Sequence, residues 1–328
     1  MASTKLASCT FLDGSVIERD YFFLSTRLDA LPNSDFDHGR LSWCDSGKWN
    51  RQDRNWEVES VCVIQPQQNS VRAYAALESG TGIVGIYRPG QSALDETLPG
   101  AEDGHGLPTM TQIRQIGQTV FAVGTLSYAF KRTEKGWQSC NDGLPFKSVE
   151  DFRKEGLKLV DAVMASSDSA ALLTTIDGTS ESNLFCAGAN GVIYHSNGKV
   201  WSPLERVTNA YLTRIKTVDD KTTYIVGKNG ILLVGNEKGF RPLATGSSDY
   251  FKSVEWFDGK LYVGGKKGLY VLVDDSLHRV DTQLPGEHSI VALNAYDGQL
   301  LAVCERWLLV FDGRNWVRVD HPDNADVT

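Results

Sequence analysis

No run of apolar residues in this chain approaches the roughly 18 that span a bilayer, and its N-terminus lacks the apolar core of a secretory signal. A membrane span is therefore not expected, and the chain is expected to remain in the cytoplasm. Leu6-Ala7-Ser8-Cys9 has the residue types of a lipoprotein cleavage box, but only five residues precede it and none supplies a hydrophobic segment. Cysteine motifs are missing too. The six cysteines, at 9, 44, 62, 140, 186 and 304, include no Cys-x-x-Cys pair and no histidine at zinc-ligand spacing, so they read as reduced thiols. Cys62, Cys186 and Cys304 sit inside apolar runs, where a thiol behaves as a small hydrophobe.

Positive charge is also in short supply: 33 Lys and Arg stand against 41 Asp and Glu, a formal net charge of -8. Nucleic acid and anionic membrane are poor partners for such a chain, because phosphate binding needs clustered cations, and a basic protein suits it better. The histidines at 38, 105, 195, 278, 288 and 321 form no His-x-His or His-Glu-x-x-His pattern. Neither a metal nor a cofactor is expected. Gly80-Thr-Gly-Ile-Val-Gly85 is glycine-rich, but no helix is predicted after it, which removes the dinucleotide-binding reading.

What the chain has instead is an internal repeat. Asn183-Leu-Phe-Cys-Ala-Gly188, Thr223-Tyr-Ile-Val-Gly227, Lys260-Leu-Tyr-Val-Gly264 and Gln299-Leu-Leu-Ala-Val303 are short β-rich runs. Each is followed by a tight turn, Asn190-Gly191 and Asn229-Gly230 in the first two, and then by a second apolar run. Asn-Gly suits a hairpin because both residues tolerate positive φ. An anchor residue closes each unit, at Trp201, Phe240, His278 and Trp316, with spacings of 39, 38 and 38 residues. Each hairpin is preceded by another apolar run (171–176, 212–215, 251–254, 290–293), which makes four strands per unit. A period near 40 built from short strands is the signature of propeller blades, since helical repeats of that length would show a 3.6-residue apolar period.

Upstream, Thr119–Gly124 with Trp137, the strands around 70–87, and Tyr21–Leu24 with Trp43 and Trp49 supply three further units. The fold is therefore expected to be all-β: a single β-propeller domain over 1–328 with about seven four-stranded antiparallel blades. The blades are placed at 11–53, 54–99, 107–145, 170–205, 210–244, 250–284 and 288–320. Ring closure is expected from packing of the first blade on the last, or from an added edge strand at Lys5–Phe11. From Trp137 to Trp201 is 64 residues, so an insertion at 146–169 must separate blades three and four. There Ser148, with Asp151 three residues on, predicts a short helix before Gly156.

The unit that runs from Asn183 through Gly188, Gly191 and His195 to Trp201 resembles the sialidase-type and photosystem-assembly-type propeller repeats of bacteria, most clearly over residues 110 to 320. It also resembles propellers found beside toxin effectors of interbacterial (type VI) secretion systems, where such a protein serves as the cognate immunity protein. The sialidase turn motif survives only in fragments, Ser196-Asn-Gly-Lys-Val-Trp201 and Asp312-Gly-Arg-Asn-Trp316, and no carboxylate-clamping triad can be picked from Arg40, Arg72, Arg114, Arg214 and Arg306.

No catalytic motif is present, and the chain is not expected to be an enzyme. Asp20, Glu78 and Glu255 lie in or beside predicted strands, where carboxylates are usually solvated. The recurring Trp49, Trp137, Trp201, Phe240 and Trp316 read as packing anchors. The expected function is protein binding by a monomer, as an antitoxin that occupies the basic active-site cleft of a toxin. Acidic loop residues would steer that association: Asp35, Asp37, Glu102, Asp103, Glu150, Asp151 and Glu155, with His105 on a flexible connector. A glycan-binding or glycan-hydrolysing propeller, and an assembly factor for a larger complex, are the alternatives.

Overall fold

The computed structural model describes residues 8–32, 37–66, 71–101, 107, 109–284 and 288–324. Among them, seven sheets of four antiparallel strands occupy 9–54, 58–97, 110–139, 173–203, 212–242, 251–279 and 290–320, each in simple meander order. The first strand of every sheet packs on the first strands of both neighbours, and that of blade 1 meets that of blade 7. The sheets thus close into a ring around a central channel. Strand side chains alternate between the two faces of a sheet, and here both faces are covered by adjacent blades. Ala73–Glu78 and Gln299–Cys304 are accordingly buried at every position.

Apolar side chains collect in seven clusters, one at each junction between adjacent blades. The anchors belong to these clusters. Trp137 donates Nε1–H to Glu96 Oε2 of the preceding blade at 2.9 Å, and Trp201 Nε1–H reaches the Cys140 carbonyl at 2.7 Å. In blade 6 the expected anchor shifts by one residue. Leu277, opposite Leu272, enters the junction with blade 5, while His278 faces solvent. The anchor in Phe240, Trp137 and Trp49 is the second residue after the hairpin turn, and after Asp274-Asp275 that residue is Leu277.

The Asn-Gly turns adopt positive φ at both residues, 56° and 69° at Asn190 and Gly191, 60° and 69° at Asn229 and Gly230. Glycine is required there twice over, because a Cβ on Gly191 or Gly230 would also collide with the carbonyl of Thr208 or Ser247 in the connection to the next blade.

Each innermost strand has a partner strand on one side only, which leaves backbone groups on its free edge. Side chains of the neighbouring blade bond to them. Asp13 Oδ2 accepts from Val61 N (3.0 Å), Gln112 Oε1 from Ile176 N (2.8 Å), Thr175 Oγ1 from Ile215 N (3.1 Å) and Ser253 Oγ from Leu293 N (2.9 Å). A second belt runs the other way, with Thr111, Thr174 and Thr213 hydroxyls donating to the carbonyls of Leu173, Leu212 and Phe251.

Closure of the ring uses the same device, without strand exchange. Blade 1 is a contiguous sheet whose innermost strand is Cys9–Glu18, so Cys9 to Phe11 are ladder residues and not an added edge. Asn294 Oδ1 accepts from Val16 N at 2.8 Å, and Asn324 brackets Cys9, accepting from its N–H and donating to its carbonyl, both at 2.9 Å. His321 stacks edge-on against Trp49 at 4.4 Å, with its Nδ1 accepting from Asp323 N.

The insertion carries two helices, α1 (Val149–Lys154) and α2 (Leu159–Ser169). Ser148 caps α1 as its sequence predicts, its Oγ accepting from Asp151 N. No helix among the described residues is long and apolar enough to cross a membrane.

Two outcomes test this packing. Trp201→Ala should lower unfolding free energy by about 3–5 kcal/mol in urea denaturation, the cost of an emptied aromatic site. Burial holds the His321 imidazole down to about 4, from 6.5. The unfolded chain therefore takes up this proton first as pH falls, and the stability contributed by neutral His321 is complete above about 6.5 and lost toward 4. Across that window the wild type should lose on the order of 3 kcal/mol more than His321→Gln, at about 1.4 kcal/mol per unit.

Candidate functional site

The channel is lined by the seven innermost strands and holds a cavity of about 190 Å³ between Asp13, Ser60, Gln112, Arg114, Arg214 and Asn294. Four of its charges are spent on one another. Arg114, from blade 3, bonds Asp177 Oδ1 of blade 4 through Nε at 3.0 Å and reaches across to Glu255 Oε2 of blade 6 at 3.9 Å, while Lys216 of blade 5 pairs with the other oxygen of Glu255. Burial works against the Arg114 charge, but Asp177 and Glu255 outweigh it and hold the guanidinium protonated above its usual range. The protein packed around the Glu59 carboxyl, with the charges of Glu57 and Asp13, lifts it to about 7, against the pull of Arg214.

The carboxylates of the sequence reading have separate structural tasks. Asp20 exchanges hydrogen bonds with Gln299 across the ring closure, its N–H to Oε1 and Gln299 Nε2–H to Oδ1, each at 2.8 Å. Glu78 gathers the N–H groups of Gly80, Thr81 and Gly82. That explains the glycine-rich turn, after which comes the strand Ile83–Tyr87. Glu255 is the channel acid already described. The arginines do not converge as a set: Arg40 pairs with Asp53 and Asp323, Arg72 with Glu18 and Arg306 with Asp29, and only Arg114 and Arg214 line the channel.

All six cysteines are free. Cys9 Sγ lies 3.7 Å from His321 Nδ1, but burial raises its thiol to about 12, so this pair supplies no thiolate nucleophile near neutral pH. Among the described residues no cluster of three His, Cys, Asp or Glu could hold a metal ion.

The two ends of the ring differ. In a four-stranded meander, the turns after strands one and three lie at one end, and the turn after strand two and the connection to the next blade lie at the other. At the first end most turns are two residues long, such as 117–118, 220–221, 258–259 and 297–298. Among the described elements, the connections of ten residues or more, 29–38, 98–109, 140–172 and 280–289, all fall at the second. Long connections positioned by a rigid scaffold are where binding residues concentrate.

Asp37 lies in the first of these connections and is exposed. Glu150 and Asp151 occupy the first turn of α1 and Glu155 is its C-cap. These acids are partly engaged: Glu155 pairs with Lys147, Glu150 with Lys154 at 3.4 Å, and Asp151 accepts from Ser148 Oγ at 2.7 Å, which lowers its carboxyl pKa. Asp35, Glu102, Asp103 and His105 lie outside the described residues. A feature the sequence reading passed over is apolar. Leu159, Val160, Val163 and Met164 of α2 are all exposed, and their i, i+1, i+4, i+5 spacing within an insertion was the available signal.

The chain is a seven-bladed β-propeller. No family model matches it. It is 25% identical over 319 residues to the immune protein Tsi7 of Pseudomonas aeruginosa, an alignment covering 94% of this chain and 96% of that protein. Solved structures with the same architecture include the WD40 propeller domain of Doa1 (TM-score 0.63, 13% identity, 98% of both chains) and YCF48 bound to a D1 peptide (0.63, 13%, 93% of both). A catalytically inactive virginiamycin B lyase of Staphylococcus aureus with quinupristin also superposes (0.65, 10%, 93% of this chain and 94% of that one). Identities this low establish the fold alone.

Replacing Arg114 with Ala would strand Asp177 without its cation and leave Glu255 to Lys216 alone. Stability should fall by about 3–5 kcal/mol. Urea denaturation of the wild type and the variant measures the difference.

Proposed function

We propose that this chain is an immunity protein, a non-catalytic propeller that presents its long-connection end to a toxin and blocks it. The observation that carries the proposal is the similarity to an immune protein along nearly the whole of both chains. Two features support it. The channel acids and bases pair mainly with each other, which favours a scaffold role for the channel over a catalytic one, and the acidic surplus suits a partner with a basic active-site cleft.

In this reading the protein acts as a monomer in the cytoplasm of the cell that makes the toxin. Asp37, Glu150, Asp151 and Glu155 form an acidic rim that draws the basic cleft in, and Asp35, Glu102, Asp103 and His105 are proposed to act with them. Electrostatic attraction of this kind acts on the association rate more than on the lifetime of the complex. The carbohydrate-active alternative has less behind it, since Glu78 and Glu255 are held by loop N–H groups and by cations.

The test is co-expression with the toxin encoded at the same locus. Growth should be restored by the wild-type chain, and in stopped-flow mixing the association rate should fall about tenfold or more between 50 and 500 mM salt, with little change in dissociation. Lysine replacement of Asp37, Glu150 and Glu155 together should slow association in the same way. A wild-type chain that binds no toxin, or binds it and leaves it active, would overturn the reading.

A further inference from the structure

The amphipathic pattern of α2 is inverted. Its buried positions are the small Ala162 and Ser166, whereas Leu159, Val160, Val163 and Met164 are 47% to 70% exposed. At 3.6 residues per turn, Val160 and Met164 point directly away from the buried pair, with Val163 alongside. Polar bonds, not apolar packing, fix the helix in this orientation. Ser166 Oγ donates to the Lys147 carbonyl at 2.8 Å, and Ser169 Oγ accepts from Lys147 N at 3.0 Å. α1 packs against α2 as well. The apolar stripe is therefore held outward by the fold. A contiguous exposed patch on a rigid element marks an interaction surface, where a scattered apolar residue would not.

Charge around the stripe says what covers it. Within 148–169, five acids face three bases. Asp161 and Asp168, seven residues apart, lie on the flank of α2 next to Met164. An apolar ridge with an acidic flank is the complement of an apolar groove rimmed by Lys or Arg. We propose that the outward face of α2 is the apolar anchor of the toxin interface, with Val160 and Met164 seated in such a groove and Asp161 and Asp168 meeting its basic rim. This inference rests on the immunity reading above and adds to it where the binding energy resides. The acidic rim governs encounter, and α2 governs the lifetime of the complex. Interfaces concentrate their energy in a few desolvated apolar anchors in the same manner.

The test uses the full chain and the purified toxin encoded at the same locus. The double variant Val160→Asp, Met164→Asp should keep the wild-type melting temperature, because both side chains are already in solvent. It should bind the toxin about 30-fold more weakly or worse, chiefly through faster dissociation, and lose protection of growing cells. Val160→Ser with Met164→Ser, which removes apolar area and adds no charge, should move in the same direction. Asp161→Lys with Asp168→Lys should slow association instead. Wild-type affinity and protection in both apolar variants would overturn the α2 site and leave the immunity function standing. A wild-type chain that neither binds nor protects would overturn both. A wild-type homodimer that the apolar variants split into monomers would assign this face to a second copy and overturn the toxin-docking role.

Discussion

The innermost strand of a blade is a sheet edge turned toward the centre of the molecule, and the whole ring depends on how its unpaired backbone groups are satisfied. A free edge in solution invites pairing with another chain, and a buried unpaired N–H costs a lost hydrogen bond. In this protein the neighbouring blade supplies the partners: Asp13, Ser60, Gln112, Thr175, Ser253 and Asn294 accept from N–H groups one blade on. Such an arrangement works only if every blade has two neighbours. Closure is thus a requirement of the hydrogen-bond inventory as much as of the hydrophobic junctions, and the bonds between Asn294 and Val16 and between Asn324 and Cys9 carry it across the junction of the last blade with the first.

That constraint also decides where function can lie. Because strand faces are consumed by blade junctions and strand edges by stitching, the strands contribute little free chemistry. Four of the charged residues in the channel, Arg114, Asp177, Lys216 and Glu255, join four consecutive blades across it. What remains variable is the set of connections at one end of the ring. The segment 140–172 is the extreme case, since it can hold two helices without disturbing a single ladder. Its backbone is fastened by Ser127, whose Oγ accepts from Ala171 N and donates to the Pro145 carbonyl.

Much of this architecture is legible in the sequence because it is periodic. A blade repeats the same demands every 38 or 39 residues, so Trp201, Phe240 and Trp316 recur at one place, and Asn-Gly recurs where positive φ and a close backbone approach coincide. The helix start at Ser148 is equally local, a hydroxyl three residues from the N–H it accepts. Where the repeat is looser, reading by spacing slips by one residue, as at His278, because a strand presents alternate residues to opposite faces and only pairing with Leu272 selects Leu277.

The candidate site is less legible, for a related reason. Acidic residues on connections can be found by composition, and Asp37, Glu150, Asp151 and Glu155 do lie on one end of the ring. Nothing local to Leu159, Val160, Val163 and Met164 distinguishes an exposed apolar stripe from a buried one. That depends on Ser166 and Ser169 binding the backbone of Lys147, some 20 residues away, and turning the helix over. By itself the sequence determined the repeat, its strands, its turns and the presence of an insertion, all of which rest on interactions within one unit of chain. Only the tertiary structure decided which end gathers the long connections, how Arg114 meets Glu255, how Cys9 meets Asn324 and which face of α2 looks outward. Those relations join residues that are distant in sequence and become neighbours only when the ring closes.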